Sequence, residues 1–199
     1  MRYYIADCHF FHDKVRQMDA RPFATLEEMH EVMIQRWNDT VTKEKDEVVI
    51  LGDFSMGKAE ETMEVLRRLR GRKILIRGNH DNGYLRQKLR FDRSLFTDIE
   101  FYKEMHDNGR KVILCHYPVM CYNGQYHGDS TYMLYGHVHL TKDYDNMRRF
   151  VRQTRQTKLG EDRNLTHIPC NMINCFCGRS DYRPLTLDEW IALEEESEI

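Results

Sequence analysis

No apolar run in this 199-residue chain approaches the roughly 20 residues needed to span a bilayer, so no membrane-embedded role is expected. The opening stretch MRYYIADCHFF lacks the basic start and long apolar stretch of a signal peptide, and a cytoplasmic location is the expectation. No Pro/Ser-rich linker, internal repeat or low-complexity tract divides the sequence. A single domain over 1–199 is expected, long enough to bury a sizeable core. An excess of one charge sign is also missing: 30 Lys and Arg stand against 32 Asp and Glu, for a formal charge of -2. That balance excludes a polyelectrolyte preference of the whole molecule for nucleic acid or membrane. The six cysteines, at 8, 115, 121, 170, 175 and 177, lack the paired CxxC spacings of a structural zinc site, and reduced thiols are expected rather than disulfides. Cys170, Cys175 and Cys177 could in principle hold a metal, although CNMINCFCG also reads as a strand of small buried side chains.

What the sequence does have is one design repeated five times. RYYIADCH from Arg2, EVVILGDF from Glu47, KILIRGNHD from Lys73, KVILCHYP from Lys111 and YMLYGHVH from Tyr132 are apolar runs that finish on Asp, Asn or His. Runs of this kind suit strands buried on both faces, and the helical patterns between them predict an α/β layered fold. A helix is predicted from Thr25, with Glu28 closing a capping box and Leu26, Met29, Met33 and Trp37 on one face. A second is predicted over 58–70, with Met63, Leu66 and Leu69 inward and Gly71 as its C-terminal cap. A third is predicted over 82–91. Asn108-Gly109 predicts a hairpin and hence antiparallel pairing. Thr186 and Glu189 open a terminal helix through Trp190 and Leu193, followed by an acidic tail, 194–199, expected to fray.

In layered sheets, sites gather beyond the carboxyl ends of the strands. The polar ends collected there are Asp7, His9, Asp53, Asn79, His80, Asp81, His116, His137 and His139. Side chains two apart in an extended segment point the same way, so Asp7 and His9 can reach one ion, and His137 and His139 share that geometry. Their Cα atoms would be roughly 6 to 7 Å apart, suited to two metals about 3.5 to 4 Å apart. Asp53 has a carboxylate with two oxygens free to bridge. Carboxylates, imidazoles and an amide, with no thiolate required, make the donor set of a dinuclear hydrolytic site.

DxH at Asp7 and His9, GD at Gly52 and Asp53, GNHD at Gly78 to Asp81, His116, and GHVH at Gly136 to His139 resemble the ordered motifs of the calcineurin-like metallophosphoesterase superfamily. The tail NMINCFCGRSDYRPLTLDEW is similar to the closing strand and helix of compact bacterial and phage members. The resemblance implies a four-layer α/β/β/α sandwich of two mixed sheets flanked by helices, with a dinuclear metal site at the strand ends. By position, Asp7, His9, Asp53 and His139 would bind one ion, and Asp53, Asn79, His116 and His137 the other. His80 would sit over the leaving group as proton donor, with Asp81 fixing its tautomer. The implied cofactors are two divalent ions, with manganese, iron or zinc fitting the donors. One departure is GDFS, where many relatives carry a second acidic residue; Ser55 cannot substitute for a carboxylate.

The implied activity is hydrolysis of a phosphomonoester or phosphodiester on a small substrate. The alternatives are a nuclease that holds a strand with Arg148, Arg149, Arg152, Arg155 and Lys158, and a non-catalytic scaffold that keeps the fold. Four further residues could touch substrate. His12 could line the cleft or be a solvated loop residue, and Arg77 could pair with phosphate or with an acidic neighbour. Asn123 and His127 lie in the loop 120–131, which could form a substrate rim or a plain connection. Cys8 and Cys115 are expected to turn away from the metals into the core.

Overall fold

The computed structural model describes residues 1–87, 89–160 and 166–197. The first apolar runs become β1 (Arg2–Ile5), β2 (Glu47–Ile50) and β3 (Arg72–Ile76), joined at the edge by β4 (Asp98–Glu100). They lie in the order β1-β2-β3-β4, and every pairing is parallel. The expectation of two mixed sheets is therefore corrected for this one. Parallel neighbours need crossovers. These are supplied by α1 (Val15–Met18) and α2 (Leu26–Thr40), then α3 (Ala59–Arg68), then α4 (Asn82–Leu85).

The second sheet is mixed. Strands β5 (Tyr102–Asp107) and β6 (Arg110–Cys115) pair antiparallel. Asn108 and Gly109, at φ 49° and 79°, supply the left-handed pair that a two-residue hairpin demands. After β7 (Thr131–Tyr135), helix α5 (Lys142–Gln156) and the short antiparallel pair β8 (Lys158–Leu159) and β9 (Thr166–His167) lead to β10 (Met172–Asn174). The order is β10-β7-β6-β5.

Strand alternation sorts the apolar residues into three buried clusters, and three interfaces make four layers. Tyr3, Ile5, Val48, Ile50 and Leu75 pack under Met29, Met33 and Trp37 of α2 and Leu66 of α3. Tyr4, Val49, Leu51 and Ile76 meet Val112, Leu114, Leu134 and Ile173 between the sheets. Ile113, Met133, Tyr135 and Met172 face Tyr144, Met147 and Val151 of α5. The last helix, α6 (Leu187–Ser197), sends Trp190 into the middle cluster, where its Nε1 donates to the Tyr4 carbonyl at 3.0 Å.

Local chemistry moves several boundaries. The helix predicted over 82–91 is a single turn, and Tyr84 within it packs on buried Phe91 with ring centroids 4.9 Å apart. In α3 the capping residue at the C-terminal end is Leu69. Gly71 instead turns at φ 80°, where a Cβ would strike Val41 and the Asp46 carbonyl. The acidic tail is helical as far as Ser197, because Glu194 pairs with Arg179 at 2.7 Å; positions 198–199 lie outside the described residues. Among the described residues no helix is long and apolar enough to cross a membrane.

Candidate functional site

Past their last hydrogen-bonded residues, β1, β2, β3, β6 and β7 turn into loops on one rim. The chain between the sheets is stitched there: Ala6 donates to the Cys175 carbonyl at 2.8 Å and its own carbonyl accepts from Cys177 at 3.0 Å. Two groups of ligand atoms converge at this rim, each within 4.8 Å internally. One is Asp7, His9 and His139, and the other Asp53, His116 and His137. Asn79 joins the second, with its Oδ1 3.1 Å from His116 Nε2. An open cleft of about 230 Å³ is lined by His9, Asp53, Asn79, His80, His137 and His139. His12, Val15, Met18, Asp19 and Thr141 complete its wall.

The paired motifs do not use an extended backbone as the alternation rule supposes. Asp7 and His9, at φ 57° and 53°, and His137 and His139, at 71° and 45°, are left-handed, and Asp53 joins them at 51°. Sparsely populated conformations of this kind gather at functional sites when surrounding contacts enforce them. Here the carboxylates do the enforcing. Asp7 accepts the His137 amide on both oxygens, at 3.0 and 3.1 Å, and Asp53 Oδ1 accepts the His80 amide at 2.9 Å. Only Asp53 Oδ2 therefore faces the imidazoles, 3.5 Å from His116 Nε2 and 3.8 Å from His9 Nε2. The expectation of two free bridging oxygens becomes one.

The role given to Asp81 is also corrected. Its fully buried carboxylate accepts from the amides of Asp53, Phe54 and Gly78 and from the Tyr84 hydroxyl, at 2.7 to 2.9 Å. Those four donors occupy its lone pairs, so it stitches the GD turn to the GNHD turn and does not orient His80. Glycine makes the close approach possible. A Cβ on Gly78 would lie 2.2 Å from Asp53 Oδ1, and one on Gly52 2.2 Å from His116 Nδ1.

The donors fit cations. The hydrogen-bond network assigns the tautomers: His116 Nδ1 donates to the Leu51 carbonyl at 2.8 Å and His139 Nδ1 to Asp19 Oδ1 at 2.7 Å. Both Nε2 lone pairs then point at other acceptors, His139 Nε2 being 3.2 Å from His9 Nε2. Convergent acceptors of this kind repel unless a positive charge sits among them, supplied by a proton on the imidazole when no ion is bound and by a cation in its place when one is. Burial pushes His116 and His139 down, but nearby carboxylates overcome it. Asp53 and Asp7 raise His116 to about 9, and Asp19 and Asp7 raise His139 to about 9. Burial opposes ionisation of Asp53 too, yet His116 and the His80 amide hold it at about 2. Burial keeps His9 neutral, pushed down to about 3.

The remaining expected residues divide. His12 lines the cleft with its ring 5.4 Å from that of His9. Arg77 bonds to Asn82 and stacks over Phe101 at 4.3 Å, so its partner within the protein is an amide rather than the expected acidic neighbour. Asn123 donates to Glu104 at 3.1 Å, and exposed His127 stands outside the cleft wall. Ser55 bonds to Thr62 at 2.8 Å and caps Gly57, shaping the loop into α3. Among the described residues, the three late cysteines form no metal group. Burial raises all three thiols, and Cys177 donates to the Asp7 carbonyl at 3.2 Å. Cys8 is buried in the first cluster, and Cys115 is only partly buried against the third. Thr141, in the cleft wall, caps the start of α5. Arg152 and Arg155 sit in the last turns of that helix, roughly 16 to 21 Å further along its axis, and Arg148 bonds to the Ser197 carbonyl.

Two residues the sequence gave no reason to choose hold the site from below. The buried Arg21 guanidinium donates to the carbonyls of Asp7 and Cys8, at 3.0 and 2.8 Å, and to Asp19 at 2.9 Å. Asp19 passes that anchor to His139, whose ring stacks on Phe176 at 4.6 Å. Asn174 could have been found, since it ends an apolar strand as the other polar ends do; its amide donates to the His139 carbonyl at 2.7 Å. Arg21→Met should lower stability by roughly 3 kcal/mol, because it leaves Asp19 Oδ2 and the Cys8 carbonyl without a donor and removes the charge that balances the buried Asp19 carboxylate. A denaturation midpoint equal to wild type would remove Arg21 from this role.

A model of the calcineurin-like phosphoesterase superfamily domain matches residues 4–158. An uncharacterized protein of Methanocaldococcus jannaschii is 30% identical over 201 residues, covering 99% of this chain and 93% of that protein. The crystal structure of a protein of unknown function from Aquifex aeolicus has a similar fold, with a TM-score of 0.63 at 24% identity over 97% of this chain and 98% of that one.

Proposed function

Since the chain belongs to the calcineurin-like phosphoesterase superfamily, we propose that it is a dinuclear metal-dependent hydrolase of phosphate esters. The observation that carries this is the convergence of two carboxylate–imidazole groups on one cleft, with Asp53 Oδ2 turned toward imidazoles of both. Asp7, His9 and His139 would hold one ion and Asn79, His116 and His137 the other, with Asp53 shared. Ions bound there supply Lewis acidity and activation of water. Oxygen and imidazole donors suit manganese, iron or zinc.

The chain supplies the rest. His80, 40% exposed at the side chain, stands at the cleft with Nε2 3.9 Å from Asp53 Oδ2. Its backbone amide is tied to the same carboxylate, so the proton donor and the shared ligand keep a fixed separation. From that position His80 protonates the departing oxygen. His12, facing the same cleft, is placed to hold a phosphoryl oxygen. All these positions are intact, which favours an enzyme over a scaffold. The basic half of α5 lies along the helix away from the cleft, which gives the nuclease form of this reading no support from those arginines.

Metal-stripped protein reloaded with manganese, iron or zinc should take up two ions per chain and turn over bis(p-nitrophenyl) phosphate. Protein that binds no metal and turns over neither this diester nor p-nitrophenyl phosphate would leave the scaffold reading.

A further inference from the structure

Every exposed aromatic among the described residues lies between positions 101 and 126: Phe101, Tyr102, Tyr117 and Tyr126. Apolar side chains scattered singly over a surface need no explanation, but a group beside a site does. Tyr117 is 45% exposed, and its ring sits 4.7 Å from that of His137 and 5.0 Å from that of His116. Tyr102 pairs with Cys115 across the hairpin, and one residue further on each strand stand Phe101 and His116. Phe101 is 60% exposed, and the Arg77 guanidinium covers it at 4.3 Å. Arg77 Nε is buried without a hydrogen-bond partner, two residues before Asn79. Glu104 fixes this edge by accepting from the Tyr102 hydroxyl at 2.6 Å, Lys111 at 2.7 Å and Asn123 at 3.1 Å.

We infer that Tyr117 and Phe101, with Arg77 behind Phe101, form a stacking platform for the base of a nucleoside phosphodiester whose phosphate lies in the cleft. The inference rests on the phosphoesterase reading, which places a phosphate beside His116 and His137, the residues Tyr117 touches. A ligand held there extends its non-leaving alcohol over the aromatic rim, while His80 serves the leaving group on the side of His9 and His12. Flat, exposed rings favour a flat partner. Bases stack on such rings with little regard to identity, and a guanidinium adds a stacking cation. The hydrolysis itself balances in the ordinary way: water adds to phosphorus, the leaving oxygen departs with a proton from His80, and a nucleoside 5′-monophosphate remains.

The test compares two diesters with one leaving group, thymidine 5′-(p-nitrophenyl phosphate) and ethyl p-nitrophenyl phosphate, on manganese-loaded protein. Wild type should favour the nucleoside ester in kcat/KM by about tenfold, the scale of one base stacked on one ring. Tyr117→Leu should remove most of that preference, Phe101→Ser part of it, and Tyr117→Phe should keep it. Because both esters are measured on one preparation, a general loss of activity or folding cancels in the ratio. A wild-type ratio near one, or a ratio indifferent to both Tyr117→Leu and Phe101→Ser, would overturn the platform. If neither ester is hydrolysed, the phosphoesterase reading fails, and calorimetric binding of thymidine 5′-monophosphate and ethyl phosphate still decides the platform. A preference for the nucleotide that Tyr117→Leu abolishes supports it, and equal affinities overturn it.

Discussion

Asp53→Asn should strip metal from both candidate positions and lower diester turnover by on the order of 10³ or more, the scale on which one preorganised electrostatic group is lost. The cause lies in one atom. Asp53 Oδ1 is committed to the His80 amide, so Oδ2 alone faces His9, His116 and His80. Asparagine places either a neutral oxygen or an amide nitrogen there, and neither balances two cations. Asp53→Glu should fare no better although it keeps the charge. The site is close-packed against Gly78, where even an added Cβ would come within 2.2 Å of Oδ1, and an extra methylene has no room without displacing a neighbouring ligand. Elemental analysis of both variants checks this. Full occupancy of both positions in Asp53→Asn removes Asp53 from the shared role, and loss of one ion assigns it to that ion alone.

His80→Ala should leave both ions in place, because no ligand atom of either convergent group belongs to His80. Its effect should depend on the leaving group. An alkyl ester, whose departing oxygen needs a proton, should lose on the order of 10² to 10⁴ in turnover. A nitrophenyl ester leaves as a stable phenolate and should lose far less. Asn79→Ala, one residue away, should instead weaken the second ion and slow both substrates together. Metal content and both rates measured on one preparation separate the cases, and an equal loss on both esters would end the assignment of His80 as proton donor.

The apolar runs and their polar ends were legible in the sequence because buried strands announce themselves by composition and because ligands at strand ends interrupt it. Every residue of the two convergent groups comes from those ends. Asn108-Gly109 and the capping pair Thr186 and Glu189 were equally plain, since each is satisfied within a few residues. What stayed hidden was long-range. Asp19 and Arg21 look like an ordinary charged loop until the chain brings His139 against one and the Asp7 carbonyl against the other. Asp81 was seen as part of the site but given the wrong partner, because adjacency to His80 suggested contact while the turn sends the two side chains in different directions. The single turn of α4 shows the remaining limit: a pattern over 82–91 could not reveal that Tyr84 would pack on Phe91 with only four residues of helix between Asp81 and Arg86.

The left-handed residues at Asp7, His9, Asp53, His137 and His139 bear on whether this centre is portable. In isolation each such conformation costs roughly 1–2 kcal/mol for an L-residue, less for Asp and His than for bulkier types. Five together approach the net stability of a whole domain, about 5–15 kcal/mol. No short peptide carrying DxH or GHVH would hold its ligands in these directions, and copying the ligand residues alone onto another scaffold would bring their chemistry without their aim. A successful transplant has to carry Arg21 beneath Asp7, Asp81 beneath Asp53 and the glycines at 52 and 78, so the smallest unit that can be moved is the rim of both sheets.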